Sequence, residues 1–254
     1  MVGLALLALP AIIVACGDNP LAPQDELARV AESVNFVYYA APGDGVDPDF
    51  QERHYTWAME RLGLSYPAPI EYRKYRDREH LERVTGHQTN GFAEPGRGRF
   101  HTIGPIDNHE YIHVVFVTLV GDSPALFNEG VAVAHHGASI HGEFDGDPTW
   151  SGTPVHDIAR NHGAAGTLPG LTELAVSHRF REYDPEITYP VAGSFVRFLI
   201  DESGIDAFKD YVGRTGPNDD YGAIAADFQA VYGETLEGSW ERWLSFLEGR
   251  GETP

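Results

Sequence analysis

The chain has 254 residues, 42% of them hydrophobic, 11% aromatic and 22% charged. That is enough apolar material for one sizeable core, or a core with a helical lobe, and too much Tyr, Phe, Val and Leu for a disordered, solvating chain. Net charge is −20 and concentrated late: residues 1–100 carry 10 basic and 14 acidic side chains, residues 101–254 carry 8 and 24, a balance that repels phosphate backbones and excludes nucleic acid as a partner.

Residues 1–15 form an apolar run that ends at Cys16, the single cysteine, so no intrachain disulfide forms. The run is short for a bilayer span and suits the apolar region of a secretory signal, although no Lys or Arg precedes it. Ile13-Val14-Ala15-Cys16 resembles a bacterial lipobox, which implies cleavage before Cys16 and lipidation of its thiol. The competing expectation is a buried N-terminal helix with a core cysteine. Residues 16–24 read as a polar, Pro-punctuated tether. With a lipid anchor the protein would sit on the cell envelope, exposed outside the cytoplasm.

Residues 25–40 begin with a helical pattern and turn β-rich. Asp47 and Pro48 open a helix that Gly63 ends, near 47–63. The stretch 70–75 alternates with period two and reads as a strand. A short helix follows from Asp77 to Val84, closed by Gly86. The cluster Arg73, Lys74, Arg76 and Arg78 reads as a solvated face, with a substrate-binding patch as the alternative. The Gly- and Pro-rich stretch 86–105 predicts a hairpin with strands near 91–93 and 99–103, and helices dominate from 106 onward.

His109-Glu110-Tyr111-Ile112-His113 is a His-Glu-x-x-His motif. On a helix the two imidazoles share a face and reach one metal ion, while Glu110 reaches the water in the open coordination position and acts as general base. Asp107 or Asn108 would cap a helix from about 108 to 120. Val114-Val115-Phe116-Val117-Thr118 also suits a strand; His109 and His113 would then stand about 13 Å apart, too far for one ion. After the Gly121–Pro124 turn, residues 125–136 read as a second helix carrying Glu129, sixteen positions after His113.

His-Glu-x-x-His followed by Asn128-Glu129-Gly130 on the next helix resembles the gluzincin zinc peptidases. Residues 124–132 are similar to the Pro-x-Trp-x-x-Glu-Gly-x-Ala pattern of the peptidase MA-like branch. The resemblance implies that Glu129 is the third zinc ligand and that the fold is zincin-like: α+β, with a small mixed sheet part (25–105), a mainly helical part (106–250) and the active-site helix at the cleft. The metzincin pattern fails because Phe116 stands where Gly is needed. Residues 91–93 resemble the family's substrate-binding edge strand; residues 168–174, 189–199 and 240–244 resemble its later helices. No Gly-x-Met-Glu-Asn motif is present, so endopeptidase activity on peptide or protein substrates is expected rather than aminopeptidase activity.

Later helices supply an oxyanion donor in related enzymes. Tyr189 is the first candidate and His178 the second, and the plain alternative for Tyr189 is a half-buried core tyrosine. Tyr189-Pro190 reads as a helix start. His136 reads as a surface residue, with a spare-ligand or supporting role as the alternative. His141, Glu143, Asp145 and Asp147 read as a turn rather than a calcium site. Competing functions are a metal-binding scaffold without turnover and a metal-free structural lipoprotein with a buried strand at 112–120.

Overall fold

The computed structural model describes residues 27–138 and 144–249. Alternation drives the first half. In β2 (Phe36–Ala40) and β3 (Ile70–Lys74) every second residue is buried, as a sheet with one face on a core requires. They join β1 (Ala28–Glu32), β4 (Gly91–Glu94) and β5 (Arg99–Thr102) in one sheet of order β1-β2-β3-β5-β4. The β2–β3 and β3–β5 pairs are parallel and both outer pairs are antiparallel. Residues 28–32, expected as the start of a helix, are instead a strand. Despite its helix-tolerant composition this segment pairs with β2, Ala28 facing Ala40, and sheet partners outweigh local propensity.

The parallel β2–β3 connection needs a crossover, and α1 (Pro48–Leu62) provides it. Asp47 Oδ1 accepts the Phe50 amide at 2.9 Å, and Gly63 closes the helix in the left-handed region at φ 60°. α2 (Arg78–Thr85) is capped in the same way by Asp77 and Gly86. Tyr38, Tyr72 and Phe100 lie in one row across the sheet and share a core with Tyr55, Met59 and Leu62 of α1 and with Ile112, Val115 and Phe116. The reading of Lys74 as solvated is corrected: it points to the covered face, is 6% exposed, and its Nζ lies 3.0 Å from Asp44 Oδ2. Arg73, on the other face, donates to Glu71 and lies over the Tyr39 ring.

The second half is mainly helical. α3 (Glu110–Leu119) and α4 (Ala125–Ala134) are followed by a two-strand hairpin, β6 (Thr149–Trp150) and β7 (Thr153–Pro154). Then come α5 (Val155–Ala164), the short α6 (Leu171–Leu174) and α7 (Ser177–Phe180), α8 (Pro185–Ser203), α9 (Ile205–Val212), α10 (Tyr221–Tyr232) and α11 (Leu236–Gly249). α8 is central. Its Ser194 Oγ takes the Trp243 indole N–H of α11 at 3.0 Å and lies 2.8 Å from His156 Nδ1 of α5. The expected helix start at Tyr189-Pro190 is corrected: Asp184 caps the helix, Pro185 is its first residue, and Pro190 lies inside it. Pro190 has no amide to offer the helix. No helix among the described residues is long and apolar enough to cross a membrane. Residues 1–26, with the expected signal, Cys16 and the whole tether, lie outside the described residues, as do His141 and Glu143.

Candidate metal centre

α3 is buried over six consecutive residues, 111–116. A helix apolar all round belongs inside a protein, so the β-branched run that also suits a strand is helical here. Its start is fixed from outside. Asp107 Oδ1 accepts the amides of His109 (2.9 Å) and Glu110 (2.7 Å), and the Asp107 backbone is held on both sides by the Gln51 amide of α1, at 2.7 and 3.0 Å.

The four-residue spacing then brings His109 Nε2 within 3.0 Å of His113 Nε2. α4 presents Glu129, whose Oε2 lies 3.2 Å from each of these nitrogens. Three ligand atoms 3.0–3.2 Å apart form a group that could hold a metal ion. For a tetrahedral ion with bonds of about 2.0–2.1 Å, ligand atoms stand roughly 3.3 Å apart, so the spacing fits a small divalent cation.

The outer partners settle which ring nitrogens face this point. Asn128 Nδ2 donates to Asp122 Oδ1 at 2.9 Å, so its Oδ1 turns to His113 Nδ1 at 3.0 Å. His113 therefore donates from Nδ1, and in the neutral ring its Nε2 lone pair faces Glu129. His109 Nδ1 lies 2.9 Å from His136 Nε2, and His136 Nδ1 lies 3.3 Å from the Thr149 carbonyl. When both Nε2 atoms are unprotonated, the three atoms facing this point are all acceptors, and positive charge between them, a proton or a cation, is favoured. Burial opposes the charged form of His113, yet the Glu129 carboxylate overrides it and holds the imidazole up to about 9. Burial likewise opposes the charge on Glu129, and His113 and His109 together keep its carboxyl well below the usual range. A proton and a cation thus compete for the same place.

Around the triad lies a cleft of about 420 Å³, lined among others by Gly91, Phe92, Ala93, Glu110, Arg181 and Tyr189. Arg181 is the one Lys or Arg among its lining residues. Burial, reinforced by Asp107 and by Glu129, pushes the Glu110 carboxyl well above its ordinary value. Tyr189 stacks on His109 with ring centroids 5.8 Å apart. Burial and then the charges of Glu129 and Glu110 hold its phenol up.

His109, Glu110, His113, Glu129 and Tyr189 are therefore brought together. His178 is not: it lies exposed on α7 and does not line the cleft. Asp145 accepts the Trp57 indole N–H at 3.1 Å and pairs with Arg61. The surface reading of His136 is corrected, since its ring is hydrogen-bonded behind His109. Sequence reasoning missed His54, which lies 2.7 Å from the Tyr111 hydroxyl and 3.2 Å from the His136 carbonyl, and also Asp122, Trp150 and Arg181. The seven-residue step from Glu129 to His136 was the one available signal; nothing local links position 54 to position 136.

No protein-family model matches the chain, and no curated protein matches it either.

Proposed function

We propose that the chain is a zinc-dependent peptide hydrolase of the gluzincin type, with His109, His113 and Glu129 holding the ion. The observation that carries this is the convergence of two imidazole nitrogens and one carboxylate oxygen at 3.0–3.2 Å, with Glu110 in the same cleft. Two nitrogens and one oxygen suit zinc with one position left open. When bound, zinc supplies Lewis acidity toward a scissile carbonyl.

The protein's own groups do the rest. Glu110, which lines the same cleft, would take a proton from the attacking water and return it to the leaving nitrogen. Tyr189, whose phenol is hydrogen-bonded to Glu129, would donate to developing negative charge on the carbonyl oxygen. β4 pairs on one side with β5, and its residues Gly91, Phe92 and Ala93 line the cleft. An extended peptide adds to such an edge as a further strand. The zincin-like topology and the envelope location through lipidated Cys16 belong to the same proposal.

The test is metal analysis of the purified chain, with digestion of a broad peptide library with and without chelator. We expect about one zinc per chain, chelator-sensitive cleavage, and a Glu110→Gln variant that keeps zinc and loses hydrolysis. A chain that takes up no metal, or a Glu110→Gln variant that cleaves like wild type, would refute the proposal. For the anchor, Cys16→Ser should release the protein from the membrane fraction; retention there would count against lipidation.

A further inference from the structure

We propose that His136 is the positioning residue of the metal centre: a neutral imidazole that accepts the His109 Nδ1–H and so turns the His109 Nε2 lone pair toward the point shared with His113 and Glu129. This rests on the metal assignment above and adds a residue that His-Glu-x-x-His and Glu129 do not specify.

The hydrogen-bond partners leave little freedom. The Thr149 carbonyl only accepts, so His136 Nδ1, at 3.3 Å, carries the proton. The neutral ring is then bare at Nε2, which lies 2.9 Å from His109 Nδ1. His109 must donate across that gap, and its own Nε2 is left with a lone pair. The opposite arrangement would put a proton on His109 Nε2, facing Glu129 Oε2 at 3.2 Å and His113 Nε2 at 3.0 Å, and would close the site to a cation.

His136 is held at both ends. Its carbonyl is 3.1 Å from the Asn108 Nδ2 donor and 3.2 Å from His54 Nε2. Its ring stacks on Trp150 with centroids 5.7 Å apart and planes 14° apart, and the Trp150 indole N–H is anchored on Glu186 at 2.8 Å. Metal-bound histidines usually donate to a carboxylate, a backbone carbonyl or water. A neutral imidazole in that place orients His109 without adding negative charge to a site that already holds Glu110 and Glu129. It also ties the centre to the β6–β7 hairpin through Thr149 and Trp150.

The experiment compares full-length wild type, His136→Leu and His136→Gln. Zinc affinity is read by competition with a chromophoric chelator, and melting temperature is read in excess chelator. His136→Leu should lose about 10–100-fold in zinc affinity. His136→Gln, whose Oε1 still accepts, should recover most of that loss while the metal-free melting temperatures stay alike. Long-range proton–nitrogen spectra of wild type should show His136 neutral with its proton on Nδ1, a readout that stands even where the Leu variant fails to fold. Zinc affinity unchanged in His136→Leu, no recovery in His136→Gln, or a His136 proton on Nε2 would overturn the inference. In the first two cases wild type binds zinc and the metal assignment survives; a wild type that takes up no zinc overturns both.

Discussion

A Cβ on Gly91 would come within 2.8 Å of Glu110 Oε1 and 3.0 Å of its Cγ. The edge strand and the acid of the His-Glu-x-x-His segment meet only because residue 91 has no side chain. The His101 carbonyl, 3.1 Å from the same point, blocks escape toward β5, so a methyl group there must move Glu110.

Gly91→Ala should therefore cut peptide hydrolysis by roughly 10–100-fold, since displacing a reacting group by about 1 Å is that costly. Zinc affinity should stay near wild type, because the three atoms nearest the added Cβ belong to Glu110 and His101 and to none of the three ligands. Parallel kinetic and chelator-competition assays separate the two effects. Equal loss of both would mean that the strand supports the ligands rather than the acid.

Asn128 gives a second prediction. Its amide is the link between Asp122 and His113, so Asn128→Leu should weaken zinc binding by about 10–100-fold. Asp122→Asn keeps a polar partner for Asn128 and should do less. Chelator competition on both variants checks the order; a larger effect at Asp122 would contradict it.

What the sequence disclosed follows from how local each determinant is. α1 and α2 are bracketed by their own caps, Asp47 with Gly63 and Asp77 with Gly86, and such signals lie within a turn of the helix they bound. The same holds for the triad, two of whose members are four residues apart. β1 was illegible because its structure comes from β2, not from residues 28–32 themselves. Lys74 was misread because Asp44, which neutralises it, is a loop residue 30 positions away. His136 and His54 acquire their roles only when α1, α3 and α4 pack together, and no spacing along the chain records that.

Acid should destabilise the fold well before the carboxylates titrate. Burial pushes His54 down to about 3 and His101 and His135 down to about 4, from an ordinary 6.5. Between pH 6.5 and about 4 the unfolded chain binds more protons than the folded one, so stability rises with pH and falls on acidification. His101 and His135 each contribute roughly 3 kcal/mol across their windows, and His54 roughly 5 kcal/mol. Glu94 acts in the same direction lower down. Burial opposes its charge, but hydrogen bonds from Arg99 and His101 draw it to about 2, and stability is lost as pH falls from 4.5 toward that value. His113, held up to about 9, acts in the opposite sense above pH 6.5, and Glu110, whose carboxyl burial holds well above its ordinary value, acts in the opposite sense above pH 4.5, one group against three histidines. Melting curves in chelator from pH 6.5 down to 4.5 should therefore move steadily to lower temperature. A flat profile would mean that these imidazoles are not buried uncharged.

The glycine after Glu129 gives the last prediction. A Cβ on Gly130 would lie 2.4 Å from Val196 Cγ2 and 2.8 Å from the Ala192 carbonyl, and one on Gly193 would lie 2.3 Å from Val133 Cγ1. Each helix thus presents a glycine to the other, and α4 and α8 approach more closely than side chains allow. That approach also sets Tyr189 of α8 beside His109 and the Glu129 carboxylate. Gly130→Ala forces the helices apart at a backbone carbonyl, which cannot turn aside as a flexible side chain does. Overpacking of this kind costs about 1–3 kcal/mol, a fall of roughly 2–12 °C in melting temperature for a chain of this size. Because Glu129 is the preceding residue, zinc affinity should fall with it, whereas Gly193→Ala, farther from the ligands, should lower the melting temperature with a smaller loss of zinc. Calorimetry and chelator competition on the two variants test this directly, and a Gly130→Ala variant as stable as wild type would show that the helices do not need the contact.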